Sequence, residues 1–307
     1  MLIFVSFILS CLIIIIAQKY FLRNNYIDKI NNRSSHSSIA TRSGGFSIFL
    51  TLFLISVYFY LTGFEIYQFS LLVPLSITMI IGLYDDINGV DFKLKFIFQI
   101  ITAKIIIDNG LVIDNLHGIL GIYELNRIIA QMITIFFIVA IINSINFIDG
   151  IDGLAISIII LFLSLFEIFS ATQSDFFYLS IITISSLVPL YYFNFSKKKK
   201  VFLGDSGSLF LGTLVSVYII YILSNNYVIK PEFDLHKILF VISILFYPII
   251  DIVRVFFLRL SKGKSPFIAD KNHIHHLIIN KIQSHWKSTF LIILISFLFL
   301  IFIQLIF

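Results

Sequence analysis

The sequence predicts an all-α, polytopic integral membrane protein with about ten transmembrane helices, both termini outside and its polar, chemically loaded loops on the cytoplasmic side. Three observations predict it. Of 307 residues 59% are hydrophobic and 13% charged, with a mean hydropathy of +1.00, which leaves too little polar surface for a soluble domain of this length. The apolar runs are continuous, as helices crossing ~30 Å of hydrocarbon require, whereas barrel strands alternate polar and apolar residues. Lysine and arginine are concentrated in alternate loops.

In order, the spans lie at about 2–18, 45–62, 66–83, 94–107, 128–145, 154–170, 176–194, 207–223, 237–258 and 289–306, the fourth being short. The loops after odd-numbered spans (19–44, 84–95, 146–153, 195–206 and 259–288) carry seventeen Lys and Arg residues; the other loops carry only Arg127, Lys230 and Lys237. The positive-inside rule places the first set in the cytoplasm. Glu65, Glu124, Glu167 and Glu232 all avoid that set. Asp85, Asp86, Asp91, Asp149, Asp152, Asp205 and Asp270 sit at the cytoplasmic ends, and Asp251 falls in or at the end of the ninth span. A mid-membrane aspartate costs about 2.5–3.5 kcal/mol on insertion scales, so such residues face a cavity or one another. One domain over residues 1–307 is expected. The single Cys11 excludes an internal disulfide or cysteine cage. "ILSC" resembles a lipoprotein cleavage site, but "MLIFVSF" lacks the basic start of a signal peptide. The net charge of +5 follows from topology and points to no nucleic-acid partner.

Five cytoplasmic stretches carry chemistry. "GLYDDINGVD" closes span three with adjacent Asp85 and Asp86, which raise each other's proton affinity unless a cation is near; the plain alternative is a solvated helix end. "NSINFIDGIDGLA" supplies Asn143, Asn146, Asp149 and Asp152 at successive spacings of three, one face if the segment is helical. Amide oxygens and carboxylates are hard donors suited to Mg²⁺, and Gly150 and Gly153 allow close approach to a ligand; two Asp-Gly turns are the alternative. "FLGDSGSLFLG" puts Asp205 at a helix start, where backbone amides meet a phosphate or the side chain simply caps the helix. "GKSPFIADKNHIHHLI" gathers Asp270, Lys271, His273, His275 and His276; it is not a standard zinc spacing, and histidines also suit phosphate and sugar contacts. "HSSIATRSGGF" offers His36 and Arg42 beside Gly44-Gly45, while the lysines of "KKKK" at 197–200 anchor topology or touch lipid headgroups.

In this order "YDDING", "NFIDGIDGLA", "FLGDSGSLFLG" and "HIHHL" closely resemble the polyprenyl-phosphate N-acetylhexosamine-1-phosphate transferases, over about residues 20–280. The resemblance implies transfer of a sugar-1-phosphate from a UDP-N-acetylhexosamine to undecaprenyl phosphate, with release of UMP. It implies Mg²⁺, with Mn²⁺ as the alternative, in the bacterial cytoplasmic (inner) membrane. By resemblance, Asp205 and Asn146 are the metal-side residues. Asp85, Asp86, Asp149, Asp152, His273, His275 and His276 are the catalytic set, with one of the acidic pair a proposed base toward the lipid phosphate. Asn143, Asn146, Arg42 and Lys271 are expected to touch substrate. Two stretches depart from the family. "HSSIATRSGG" lacks both prolines of "HxxPTPRxGG", and "HIHHLI" replaces the "HHHFE" of the MurNAc-pentapeptide branch, which favours GlcNAc or a related 2-acetamido sugar. "RSSHSS" resembles the branch that starts O-antigen or exopolysaccharide chains. A homodimer is left open. The rival class, a transporter or flippase of lipid-linked sugars, would show two related halves with broken helices and mid-membrane charges.

Overall fold

A computed structural model describes residues 1–28, 39–224, 227–233, 235–263 and 272–306. Its helices are α1 (Leu2–Arg23), α2 (Gly44–Leu61), α3 (Leu72–Asn88), α4 (Phe92–Asp108), α5 (Arg127–Ile148), α6 (Leu154–Phe169), α7 (Phe177–Phe195), α8 (Gly204–Leu223), α9 (Lys237–Ile244), α10 (Phe246–Ser261), α11 (Ile274–Ile282) and α12 (His285–Ile306). Every expected span falls on helix. Seven helices are long and apolar enough to cross a membrane, or eight if the bent pair α9–α10 is one span, against the ten expected. The shortfall has a geometric reason. α4 has 17 residues and α6 has 16, lengths of roughly 24–26 Å at 1.5 Å per residue, below ~30 Å of hydrocarbon. The protein is a multi-pass, mostly helical membrane protein.

Three details differ from the sequence reading. The ninth span bends by 78° between α9 and α10. Pro248, in the first turn of α10, has no N–H to offer the carbonyl of Ile244, so the helix restarts there at no cost to its own bonding. The histidine segment, expected as loop, forms α11. The chain is also not purely helical: β1 (Ala40–Thr41) pairs in parallel with β2 (Lys200–Val201).

α8 is the axis of the bundle. All of its residues except Asp205 are buried, and its main neighbours are α3 and α5. Lipid gives helices no hydrophobic reason to associate, so close packing of small residues and interhelical hydrogen bonds must hold them. Gly45 of α2 meets Gly207 of α8 backbone to backbone, and a Cβ on Gly45 would collide with it. A Cβ on Gly82 of α3 would likewise strike the backbone of Asp205 and Ser206. Thr213 donates to Thr78 at 3.0 Å across the α8–α3 contact. The Gly82 contact brings the last turn of α3 against the first turn of α8. The β1–β2 ladder continues into Gly44 and Gly45, whose N–H groups donate to the carbonyls of Phe202 and Leu203 at 3.0 and 2.8 Å. The polar loops are thereby gathered at one end of the bundle.

Candidate active site

The first turn of α8 organises this end. Gly204 has φ +74°, a left-handed conformation that presents the following backbone N–H groups toward α3. Asp86 receives them: the Asp205 and Ser206 N–H groups donate to its Oδ1 and Oδ2, each at 2.9 Å. Its side chain is completely buried. Asp86 is therefore a helix cap supplied by a different helix, satisfying two of the four orphan donors of α8.

Asp85 points elsewhere, because consecutive helical residues are about 100° apart. Its Oδ1 accepts from the Val90 N–H at 2.5 Å, and its Oδ2 lies 2.5 Å from Lys95 Nζ. The same ammonium lies 2.5 Å from Asp205 Oδ2. Lys95, on α4, thus bridges two carboxylates from α3 and α8. Asn146, near the end of α5, donates from Nδ2 to Ser208 Oγ at 2.8 Å and to Asp205 Oδ1 at 3.3 Å. Arg42 adds a second cation, 2.6 Å from Asp28 Oδ1 and 3.8 Å from Asp86 Oδ1. Burial works against its charge, but the carboxylates of Asp28, Asp86 and Asp205 hold its proton above the usual arginine value.

Asp149 caps the C-terminus of α5 beside this group. Burial first, and then the carboxylates of Asp205 and Asp86, push its carboxyl well above the ordinary range. Among the described residues Asp85, Asp86, Asp149 and Asp205 thus answer to Lys95 and to Arg42, which Asp28 also engages. Such an acid-rich end fits a divalent cation. Among the described residues no three His, Cys, Asp or Glu side chains group closely enough to hold a metal by themselves. Mg²⁺ needs no such cage where one or two carboxylates are completed by water and substrate phosphates. Asp205, with the Asn146 amide beside it, is a donor set of that kind.

The histidine segment packs onto the stretch after Asn146. The rings of Phe147 and His273 lie 5.4 Å apart, and a Cβ on Gly150 would strike His275 Nε2. His273 is buried, with Nδ1 2.6 Å from Asp251 Oδ2. His275 has no exposed surface, and its Nδ1 lies 3.0 Å from the Tyr247 hydroxyl. Burial, then the neighbouring His276, drives its imidazole down to about 3, so this ring is neutral. The His276 ring packs against it at a tilt of 51°, with ring centroids 4.3 Å apart.

Two expected site residues are engaged in the fold. Asn143 donates from Nδ2 to Gln99 Oε1 and to the Val139 carbonyl, both at 2.7 Å. Asp152 is buried, with Oδ2 2.5 Å from Lys200 Nζ and 3.3 Å from His285 Nδ1. The single face expected for 143, 146, 149 and 152 ends with α5 at Ile148. Lys271 lies outside the described residues, as do Asp270 and His36. Sequence reasoning missed Lys95, Lys200 and His285 as partners of these acids. In the sequence Lys95 reads as a topological charge and Lys200 as a topology anchor or lipid-headgroup contact, and nothing in the spacing of His285 marks it.

Residues 68–223, which carry every member of the acidic group except Arg42, match the profile of glycosyl transferase family 4. The chain is also 31% identical over 309 residues to the undecaprenyl-phosphate alpha-N-acetylglucosaminyl 1-phosphate transferase of Haemophilus influenzae, covering 96% of this chain and 83% of that protein. The chain belongs to glycosyl transferase family 4. Other similar proteins are the enzyme of the same name from Pasteurella multocida, 33% identical over 82% of this chain and 71% of its own, and the decaprenyl-phosphate N-acetylglucosaminephosphotransferase of Mycobacterium leprae, 30% identical over 85% and 72%. The family 4 match runs from α3 through α8 and leaves α10 and the histidine segment beyond its end.

Proposed function

We propose that this family 4 protein transfers an N-acetylhexosamine-1-phosphate from a UDP-sugar to undecaprenyl phosphate and releases UMP. The sugar is GlcNAc or a related 2-acetamido sugar, and the step starts a cell-surface polysaccharide of the O-antigen or exopolysaccharide kind. The relatives' names support a polyprenyl phosphate acceptor and an N-acetylglucosamine-phosphate donor. The observation that carries the reading is the Lys95 ammonium shared by Asp85 and Asp205 at the end of the bundle where the polar loops meet. Carboxylates and cations there suit a diphosphate, and the lysine and arginine distribution supports a cytoplasmic position for that end.

In the reaction an oxygen of the lipid phosphate bonds to the sugar-bearing phosphorus, the bond from that phosphorus to the bridging oxygen breaks, and UMP leaves with the electron pair. Asp205 and Asn146 would hold Mg²⁺, whose charge would offset that of the diphosphate. Phosphoryl transfer chiefly needs positioning and charge stabilisation. Asp86 fixes the first turn of α8 and with it Asp205. Of the acidic pair, Asp85 is assigned as the base toward the lipid phosphate: its Oδ2 meets only the side chain of Lys95, whereas both oxygens of the fully buried Asp86 accept backbone hydrogen bonds. Lys95 and Arg42 offset developing negative charge. His273, His275 and His276 pack over the 147–150 segment from the donor side.

The test is purified protein with undecaprenyl phosphate, Mg²⁺ and a panel of UDP-sugars, with the lipid product identified by mass and UMP measured. The expected product is a lipid-linked acetamidosugar diphosphate formed in step with UMP. Absence of both with every donor overturns the reading.

A further inference from the structure

The bent helix α10 presents three polar groups at spacings of four and three, one stripe of a helix: Tyr247, Asp251 and Arg254. All three reach the start of the histidine segment. Tyr247 meets His275 Nδ1 at 3.0 Å. Arg254 donates to the Asn272 carbonyl at 2.7 Å. Asp251, 1% exposed, makes two contacts: Oδ1 accepts from the Ile274 N–H at 2.7 Å, and Oδ2 lies 2.6 Å from His273 Nδ1. A buried carboxylate is expensive unless it is hydrogen-bonded, and these two contacts satisfy one oxygen each.

The chemistry of the pair is directional. An ionised carboxylate only accepts hydrogen bonds, so His273 Nδ1 must carry the hydrogen. Nε2 is then the nitrogen left to meet another partner. A second nitrogen fixed in this way sets both the tautomer and the orientation of the first. The ring is further confined by Phe147, which belongs to the stretch between Asn146 and Asp149.

We propose that Asp251 is a positioning residue for His273, holding it as the Nδ1–H form so that Nε2 faces the phosphates or sugar of the donor. The inference rests on the transferase reading above. Asp251 acts through His273 and touches no reacting atom. The hinge at Leu245 matters to this arrangement: it turns α10 out of line with α9, and the stripe on α10 then faces α11.

Two measurements test it. In protein labelled with ¹⁵N-histidine, with His273→Gln used to assign the signals, wild-type His273 is expected to be protonated at Nδ1. The Asp251→Asn variant, whose amide can donate as well as accept, is expected to show a mixture. Arg254→Met removes another anchor of the same segment and is expected to leave the tautomer unchanged. A wild-type His273 protonated only at Nε2 overturns the proposal, and this arm needs no turnover. In the transfer assay Asp251→Asn is expected to lower kcat about 10–100-fold, the usual cost of losing such an orienting partner, with KM for undecaprenyl phosphate unchanged. On a His273→Gln background the same substitution should cost no more than about two-fold, because residues acting as one unit are not additive. Losses that multiply, or a fully active Asp251→Asn, overturn the proposal. A wild-type protein that forms no lipid product overturns the transferase reading instead, and the tautomer measurement then decides the positioning of His273 on its own.

Discussion

Two aspartate–lysine contacts of equal length sit at the same end of this protein and do different work. Lys200 and Asp152 meet at 2.5 Å, one lysine to one carboxylate, with both side chains only 9% exposed. Lys95 meets Asp205, also at 2.5 Å, but shares itself with Asp85 and leaves the three side chains 20%, 26% and 11% exposed. The first pair is closed in charge and in space, with His285 beside the carboxylate and the Phe202 ring beneath the ammonium. The second is open, and its acids outnumber its cations. A sealed pair holds the structure; an open, acid-rich pair has capacity left for a ligand.

Breaking the sealed pair should have the largest effect, and on stability. Removing one partner of a buried ion pair costs about 3–5 kcal/mol, because the other charge stays buried alone. Asp152→Asn and Lys200→Met are each expected to lower the thermal midpoint in detergent sharply. The double variant should recover most of the loss, since replacing both charges is often neutral. A stable Asp152→Asn protein with no transfer activity would move Asp152 from the framework to the chemistry.

The open pair should respond in the opposite way. Asp205→Asn is expected to cut transfer about 10²–10³-fold, as loss of a principal charge-stabilising group does, while the thermal midpoint holds. Near-normal turnover would refute its role. The adjacent acids sharpen the contrast further. Asp86→Asn replaces one of two acceptors by an NH₂ facing a backbone N–H, which should cost about 1–3 kcal/mol of stability. Asp85→Asn keeps an amide oxygen for the Val90 N–H, so it should cost less stability than Asp86→Asn and chiefly slow transfer. The reverse pattern would exchange the roles assigned to the two residues.

These contrasts explain what the sequence could and could not reveal. Asp205, Asn146 and the histidines stood out because hard donors in a strongly apolar chain are costly and few. The helices stood out for the same reason. Asp85 and Asp86 are chemically identical neighbours, and only the rotation of α3 against α4 and α8 separates cap from site residue. Lys200 is the last of four identical lysines, and its burial follows from the β1–β2 pairing of segments distant in sequence. Pro248 did mark the hinge of α10, but an apolar run of ordinary span length hid it. Asp251 was conspicuous as a charge and silent as to its partner, since His273 reaches it only after that bend.

Asp149 provides the smallest expected effect and the most direct probe of excess negative charge. Its carboxyl is raised by burial and by Asp205 and Asp86. The sign follows from linkage: a group whose folded value is raised adds stability in full below the unfolded carboxylate value of about 4, and loses it as pH rises through the folded value. Without divalent cations, the thermal midpoint of the wild type should therefore fall with rising pH more than that of Asp149→Asn. Asp149 keeps some contact with solvent, so the difference should be smaller than the losses at the sealed pair. Added Mg²⁺ should shrink it, because a cation among the acids favours the ionised carboxylate. Equal pH dependence in the two proteins would mean that the surrounding acids are already balanced by Lys95 and Arg42, and the site would lose its claim to spare capacity for a divalent ion.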